Sequence, residues 1–185
     1  MNKIIILTSA VLLLVTSCNY KEKKAQKAQK EQEADVKTST LIEKGQSVPE
    51  FEYITLQNDT VNIKEHQGKV VFMNFFATWC PICIKELPYI EKEIYQEYKN
   101  NKNFELLVFG REHSAEELVS FQKKNEYTLP FIPDPERKIY ALFAEKYIPR
   151  NIVLNREGKI IYESTGFNEE EFAQLKQVIK QELIN

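Results

Sequence analysis

From about Gly45 to the end of the chain, short apolar runs alternate with amphipathic stretches. Val70-Val71-Phe72-Met73-Asn74-Phe75-Phe76 is almost unbroken in apolar character, as expected of a central strand covered on both faces. From Pro81 to about Tyr98, Leu87, Ile90, Ile94 and Tyr98 fall on one stripe, which predicts a helix. Phe104 to Phe109 reads as a second buried strand, and Ser114-Ala115-Glu116-Glu117 opens a helix with a capping pattern. A short extended piece over Leu129 to Ile132 and a helix from Pro135 to about Lys146 are expected next. Asn151 to Leu154 and Lys159 to Glu163 flank Asn155-Arg156-Glu157-Gly158, a hairpin turn with Gly where positive φ is needed. A last helix is expected from about Glu169 to Leu183, and residues 51–63 add a small hairpin in front. This order implies an α/β fold: a mixed central β-sheet with helices on both faces and an N-terminal β-hairpin.

Two other textures precede that pattern. Lys3 makes a positive start, Ile4 to Val15 is apolar, and small residues lead to Cys18. The run is shorter than the roughly 20 residues of a spanning helix, so residues 1–17 are expected to be an export signal. Val15-Thr16-Ser17-Cys18 resembles the bacterial lipoprotein signal, which implies a lipid on Cys18; an ordinary secretory signal and an uncleaved anchor are the alternatives. More than one acyl chain there would hold the protein at a membrane. Residues 18–44, rich in Lys, Glu, Gln and Ala, cannot bury a core and are expected to form a polar flexible tether, helical only transiently. The domain is then expected over residues 45–185.

With 185 residues, 43% of them hydrophobic, the chain suffices for one well-cored domain. A net charge of −2, with Lys and Arg scattered among acids, supplies no field for nucleic acid, so no nucleic-acid partner is expected.

Two of the three cysteines stand in Trp79-Cys80-Pro81-Ile82-Cys83. Cys80 falls where a strand meets a helix, and Cys83 lies one turn in on the stripe that Leu87 continues. At i and i+3 the two share a face and can form a disulfide. The free N–H groups and dipole of the helix mouth favour a thiolate at Cys80, which makes it the attacking nucleophile. Cys83, shielded below, is placed to resolve the mixed disulfide. The competing reading is a permanent staple, but a four-residue loop would contribute only about 2 kcal/mol, against about 3 for fifteen residues. No metal site is expected: the domain offers two cysteines with His66 and His113 at no finger-like spacing. Both histidines read as surface loop residues.

Trp79-Cys80-Pro81-Ile82-Cys83-Ile84-Lys85-Glu86-Leu87-Pro88, preceded by Gly68-Lys69-Val70-Val71-Phe72-Met73-Asn74-Phe75, resembles the thioredoxin superfamily, and within it the exported TlpA/ResA-like thiol-disulfide oxidoreductases. The likeness spans most of residues 45–185 and implies a thioredoxin-like fold. It implies that Pro149 is a cis-proline beside the disulfide, with the Ile148 backbone pairing with substrate; an ordinary trans proline is the alternative. Asn74 stands where cytosolic thioredoxins carry a buried aspartate, and Glu86 matches the glutamate that replaces it here. A desolvated Glu86 would exchange a proton with Cys83; otherwise it is a solvated glutamate paired with a lysine. Trp79 is either a flap over the disulfide or plain packing. Trp79, Pro81, Ile82, Ile148 and Pro149 are the implied substrate-binding set. The sequence departs from the family pattern in two places: proline comes first between the cysteines with Ile82 second, and Arg150 follows Pro149 where a smaller residue is usual, which would alter the substrate groove.

The expected function is thiol-disulfide exchange with exported proteins, in the reducing direction, with apocytochrome c maturation as a family-typical setting. No cofactor beyond the Cys80–Cys83 pair is required. Turnover needs a membrane thiol or electron donor as partner, and the expected location is the bacterial cell envelope, lipid-anchored and facing the periplasm or extracytoplasmic side. A peroxiredoxin-like peroxidase is the first rival, but Thr78 lies too close to Cys80 for the Pro-x-x-x-Thr-x-x-Cys signature. A copper-binding module on the same fold is the second, and would want Cys-x-x-x-Cys with a distant histidine.

Overall fold

The computed structural model describes residues 23–184; the signal expected at residues 1–17 and the lipidation site Cys18 lie outside the described residues. The chain divides into two units, residues 1–39 and 40–185. In the first, the expected flexible tether is instead a helix, α1, over 23–38. Its Lys, Glu, Gln and Ala are good helix formers, and i,i+4 pairs support it: Lys27 lies 3.8 Å from Glu31, and Gln29 donates to Glu33 at 3.2 Å. The second unit starts at Thr40 rather than Gly45. There the Leu41 N–H donates to the Phe143 carbonyl at 2.9 Å and Ile42 is buried.

β1 (Glu52–Ile54) and β2 (Thr60–Asn62) form the expected antiparallel hairpin. β3 (Val70–Phe76), β4 (Phe104–Arg111), β5 (Phe131–Asp134), β6 (Arg150–Leu154) and β7 (Ile160–Thr165) form a five-stranded sheet in the order β5-β4-β3-β6-β7. β3 pairs in parallel with β4 and antiparallel with β6, and its seven side chains are all buried. An apolar run without alternation demands such cover on both faces. The edge strand β5 lies slightly later than the expected 129–132 and contains Pro133. Between β6 and β7, Gly158 takes a φ of 75°, and Asn155 Oδ1 accepts the N–H groups of Glu157 and Lys159 at 3.1 and 2.9 Å.

α2 (Pro81–Ile90) runs on through a π turn at Glu91–Tyr95 into α3 (Gln96–Tyr98). Pro88, inside α2, has no N–H to give the Ile84 carbonyl. α4 (Ala115–Lys124) opens with the reciprocal Ser114 and Glu117 cap, and α5 (Glu169–Ile184) closes the fold. Leu87, Ile90 and Ile94, with Leu118 of α4 and Phe172, Leu175 and Ile179 of α5, pack with Phe72 and Phe76 in one core cluster. Val71, Met73 and Phe75 point the other way and pack with Phe51, Tyr53, Ile63, Tyr140 and Phe143. The helical cover on that second face consists of the 3-10 turns Ile63–His66 and Tyr140–Leu142, beside the β1–β2 hairpin.

The helix expected from Pro135 to about Lys146 is reduced to the second of those turns. Arg137 and Tyr147 adopt φ of 58° and 68°, outside the helical region. The Asp134 carboxylate accepts the N–H groups of Ile139 and Tyr140 at 3.1 and 2.8 Å, so it caps one short turn.

Gly110 marks the close approach of β4 and α4, since a Cβ there would lie 2.5 Å from the buried Leu118 Cδ2. Gly110→Val is expected to destabilise the protein by about 1–3 kcal/mol. Combined with Leu118→Ala it should cost less than the two single changes together, as read by urea unfolding. Strictly additive costs would show that α4 does not press on this glycine.

Candidate active site

β3 ends at Phe76, and a short loop delivers Cys80 to the N-cap of α2. Pro81 at the first helical position is preset for the helix and wastes no donor. Cys80 Sγ accepts the Cys83 N–H at 3.3 Å, using one of the free donors at the helix mouth. Negative charge on that sulfur is favoured by the dipole. Cys80 and Cys83 are joined by a disulfide with Cα atoms 5.3 Å apart. Cys83 has no exposed surface, whereas Cys80 keeps 5%, so a partner reaches Cys80 first. Around it the surface is apolar: Trp79, Pro81 and Ile82 are all exposed.

Glu86 lies on the buried stripe of α2 with Cys83, Leu87 and Ile90, and only 1% of it is exposed. The reading of it as a solvated, lysine-paired glutamate is therefore excluded. Asn74 Nδ2 of β3 donates to Oε2 at 3.0 Å, and Asn151 Nδ2 of β6 donates to Oε1 at 2.7 Å. Asn74 Nδ2 also donates to Asn151 Oδ1 at 2.8 Å, across a directly opposed strand pair. Burial pushes the Glu86 carboxyl up to about 7; the amides of Asn151 and Asn74 pull the other way, and the Glu171 carboxylate adds to the rise. The space beside Glu86 on the β7–α5 side, lined by Asn151, Ser164, Asn168 and Glu171, is too small to hold a water molecule. Asn151 is the residue that sequence reasoning missed. Its signal was a polar residue interrupting the apolar run of β6 opposite another such residue, Asn74, in β3.

The Ile148–Pro149 peptide is cis, and the Ile148 carbonyl lies 3.8 Å from Cys80 Sγ. Trp79 is 56% exposed rather than packed in the core, and the Arg111 guanidinium sits 5.8 Å from its ring centroid. Arg150 does not shape the groove with its side chain, which is 1% exposed. Its guanidinium donates to the carbonyls of Lys146 and Tyr147 and to the Thr40 hydroxyl. The two histidines are not surface residues. His66 is buried with Nε2 at 2.7 Å from the Tyr53 hydroxyl, and His113 Nε2 accepts the Thr78 N–H at 2.9 Å. Their partners lie well away in sequence, which is why loop composition misplaced them.

The Redoxin family matches residues 43–179. Thiol-disulfide oxidoreductase ResA of Bacillus thuringiensis subsp. konkukian is 30% identical over 139 residues, covering 75% of this chain and 78% of that protein. Among solved structures, a proposed protein disulfide isomerase from Bacteroides thetaiotaomicron shares 36% identity with a TM-score of 0.76, over 80% of this chain and 94% of that one. The pneumococcal exposed lipoprotein thioredoxin of Streptococcus pneumoniae shares 26% identity with a TM-score of 0.58, over 70% of this chain and 99% of that one. With a redox-capable pair at the mouth of α2 and relatives of this extent, the chain belongs to the Redoxin family of the thioredoxin superfamily, as a TlpA/ResA-like thiol-disulfide oxidoreductase.

Proposed function

We propose that this oxidoreductase acts as a reductant of disulfides in exported proteins, with Cys80 attacking, Cys83 resolving and Glu86 carrying the proton between them and solvent. The carrying observation is the acid: Glu86 is buried on the stripe of Cys83, held by two amides, and titrates near neutrality. A dithiol enzyme must deprotonate its buried thiol before the second step, and a base poised near the working pH does this best.

The Cys80 thiolate attacks one sulfur of the client disulfide, forming a mixed disulfide and expelling the other client sulfur as a thiolate, which takes up a proton. Cys83 gives its proton to Glu86 and attacks Cys80 Sγ. That step closes the Cys80–Cys83 bond and releases the second client thiolate. Two electrons pass from the enzyme to the client. Glu86 then gives up its proton to solvent. Trp79, Pro81 and Ile82 give the client an apolar bed, and the Ile148 backbone pairs with its extended chain beside Pro149.

Each further turnover requires a donor of two electrons, for which a membrane thiol protein is the proposed partner; no organic or metal cofactor is needed. Lipidation at Cys18, with residues 1–17 removed as a signal, would place the domain on the outer side of a bacterial membrane, as the lipoprotein-like Val15-Thr16-Ser17-Cys18 supports. Maturation of cytochrome c is the setting we favour for the client.

Cys83→Ser expressed in the native host should accumulate client proteins linked to Cys80, seen as reducible bands by non-reducing electrophoresis and identified by mass spectrometry. Absence of any adduct, or peroxide consumption that survives the substitution, would overturn the assignment. Glu86→Gln should slow resolution of the mixed disulfide by roughly 10²-fold near neutral pH while leaving the first attack largely intact.

Stability carries its own signature. Glu86 titrates higher in the folded chain than in the unfolded one, so between pH 4.5 and about 7 the folded state binds more protons, and stability falls as pH rises. Urea unfolding should show a loss of about 3 kcal/mol across that window, absent in Glu86→Gln.

A further inference from the structure

We propose that His113 is a positioning residue for the reaction: a proton-free Nε2 holds the Thr78 N–H and thereby sets the loop that presents Cys80. This rests on Cys80 being the attacking sulfur. The loop Ala77 to Trp79 follows the end of β3, so sheet pairing no longer fixes its backbone. Two hydrogen bonds do so instead. Cys80 N–H donates to the Ala77 carbonyl at 3.1 Å, and Thr78 N–H donates to His113 Nε2 at 2.9 Å. The Thr78 hydroxyl lies 3.3 Å from the same nitrogen.

His113 is itself held. It is 5% exposed, its own N–H donates to the Gly110 carbonyl at 3.1 Å, and it directly precedes Ser114, the cap of α4. A backbone N–H can only donate, so Nε2 must present its lone pair, and the ring proton of the neutral imidazole sits on Nδ1. Nδ1 lies 3.7 Å from Glu117 Oε2, beyond hydrogen-bond reach, and that oxygen accepts the Ser114 N–H at 2.7 Å, so the hold on the ring comes through Nε2 and the backbone. Protonation at Nε2 would set a donor against the Thr78 N–H, so that proton and the loop bond exclude each other. An open groove lined by Thr78, Ile84, His113, Glu116, Glu117 and Lys124, among others, gives solvent access. The charged groups around the ring are thus Glu116, Glu117 and Lys124 in the groove, with Arg111 and Glu112, mutually paired at 3.5 Å, in its own turn.

Two variants of the full chain separate positioning from mere packing. His113→Gln keeps an acceptor at a similar reach; His113→Ala keeps none. Thr78 amide exchange, followed by nitrogen-15 NMR, should quicken about tenfold in His113→Ala and stay slow in His113→Gln. Insulin reduction by His113→Ala should fall about three- to tenfold at neutral pH, and His113→Gln should restore it. An unchanged Thr78 amide in His113→Ala, or a His113→Gln that fails to restore insulin reduction, would overturn the proposal. If His113→Ala fails to fold, Thr78 amide exchange in His113→Leu, which fills the space of the ring but offers no acceptor, decides in the same way. A wild type with a protected Thr78 amide but no insulin reduction would instead sink the redox reading.

Discussion

The carboxyl group of Glu86 ties three pieces of backbone together: α2 by its own chain, β3 through Asn74 and β6 through Asn151. An acid in an apolar core costs several kcal/mol unless donors meet it, and the two amides meet one oxygen each. Because Asn74 and Asn151 also bond one another across the strands, the helix that carries the cysteines cannot rotate on the sheet without breaking the set. The depth of Cys83 and the lift of Cys80 thus depend on how a buried charge is satisfied. The loop before Cys80 is held by a separate bond, from Thr78 to His113. The sulfur is therefore located from both sides of the chain.

Arg150 solves a similar problem by another route. It is a buried guanidinium next to Pro149, and carbonyls of Lys146 and Tyr147 accept from it. Those carbonyls belong to the segment leading into Ile148, so the arginine organises the far wall of the cysteine site from behind. A smaller residue at this position would leave them to find other donors.

Much of this was legible in the residues. β3 and α2 are long and strongly patterned, and each appears where its pattern placed it. The cysteine pair was readable through its spacing, while Glu86 was singled out only through the family resemblance, with its burial visible first in the structure. Asn151 was not, because its role depends on the register that sets it against Asn74, a tertiary fact. His113 was hidden for the same reason: its acceptor role is meaningful only once β3 and β4 lie side by side. The stretch after Pro135 was misread because Asp134 and two positive φ residues made local turns out of a helical composition. At 23–38 the difference ran the other way: good helix formers and their i,i+4 pairs make a helix of a segment whose composition read as a tether.

Pro133 gives the edge strand β5 a meaning beyond architecture. A sheet margin with unpaired backbone groups is an invitation to any extended chain, and an oxidoreductase whose substrates carry disulfides meets such chains as part of its work. β5 has four residues, and one of them has no N–H to offer. A client that lies along that margin finds too few rungs to form a ladder. At this one of the sheet's two margins, a passing chain is offered little backbone to pair with, and contact with it falls instead to the surface around Cys80.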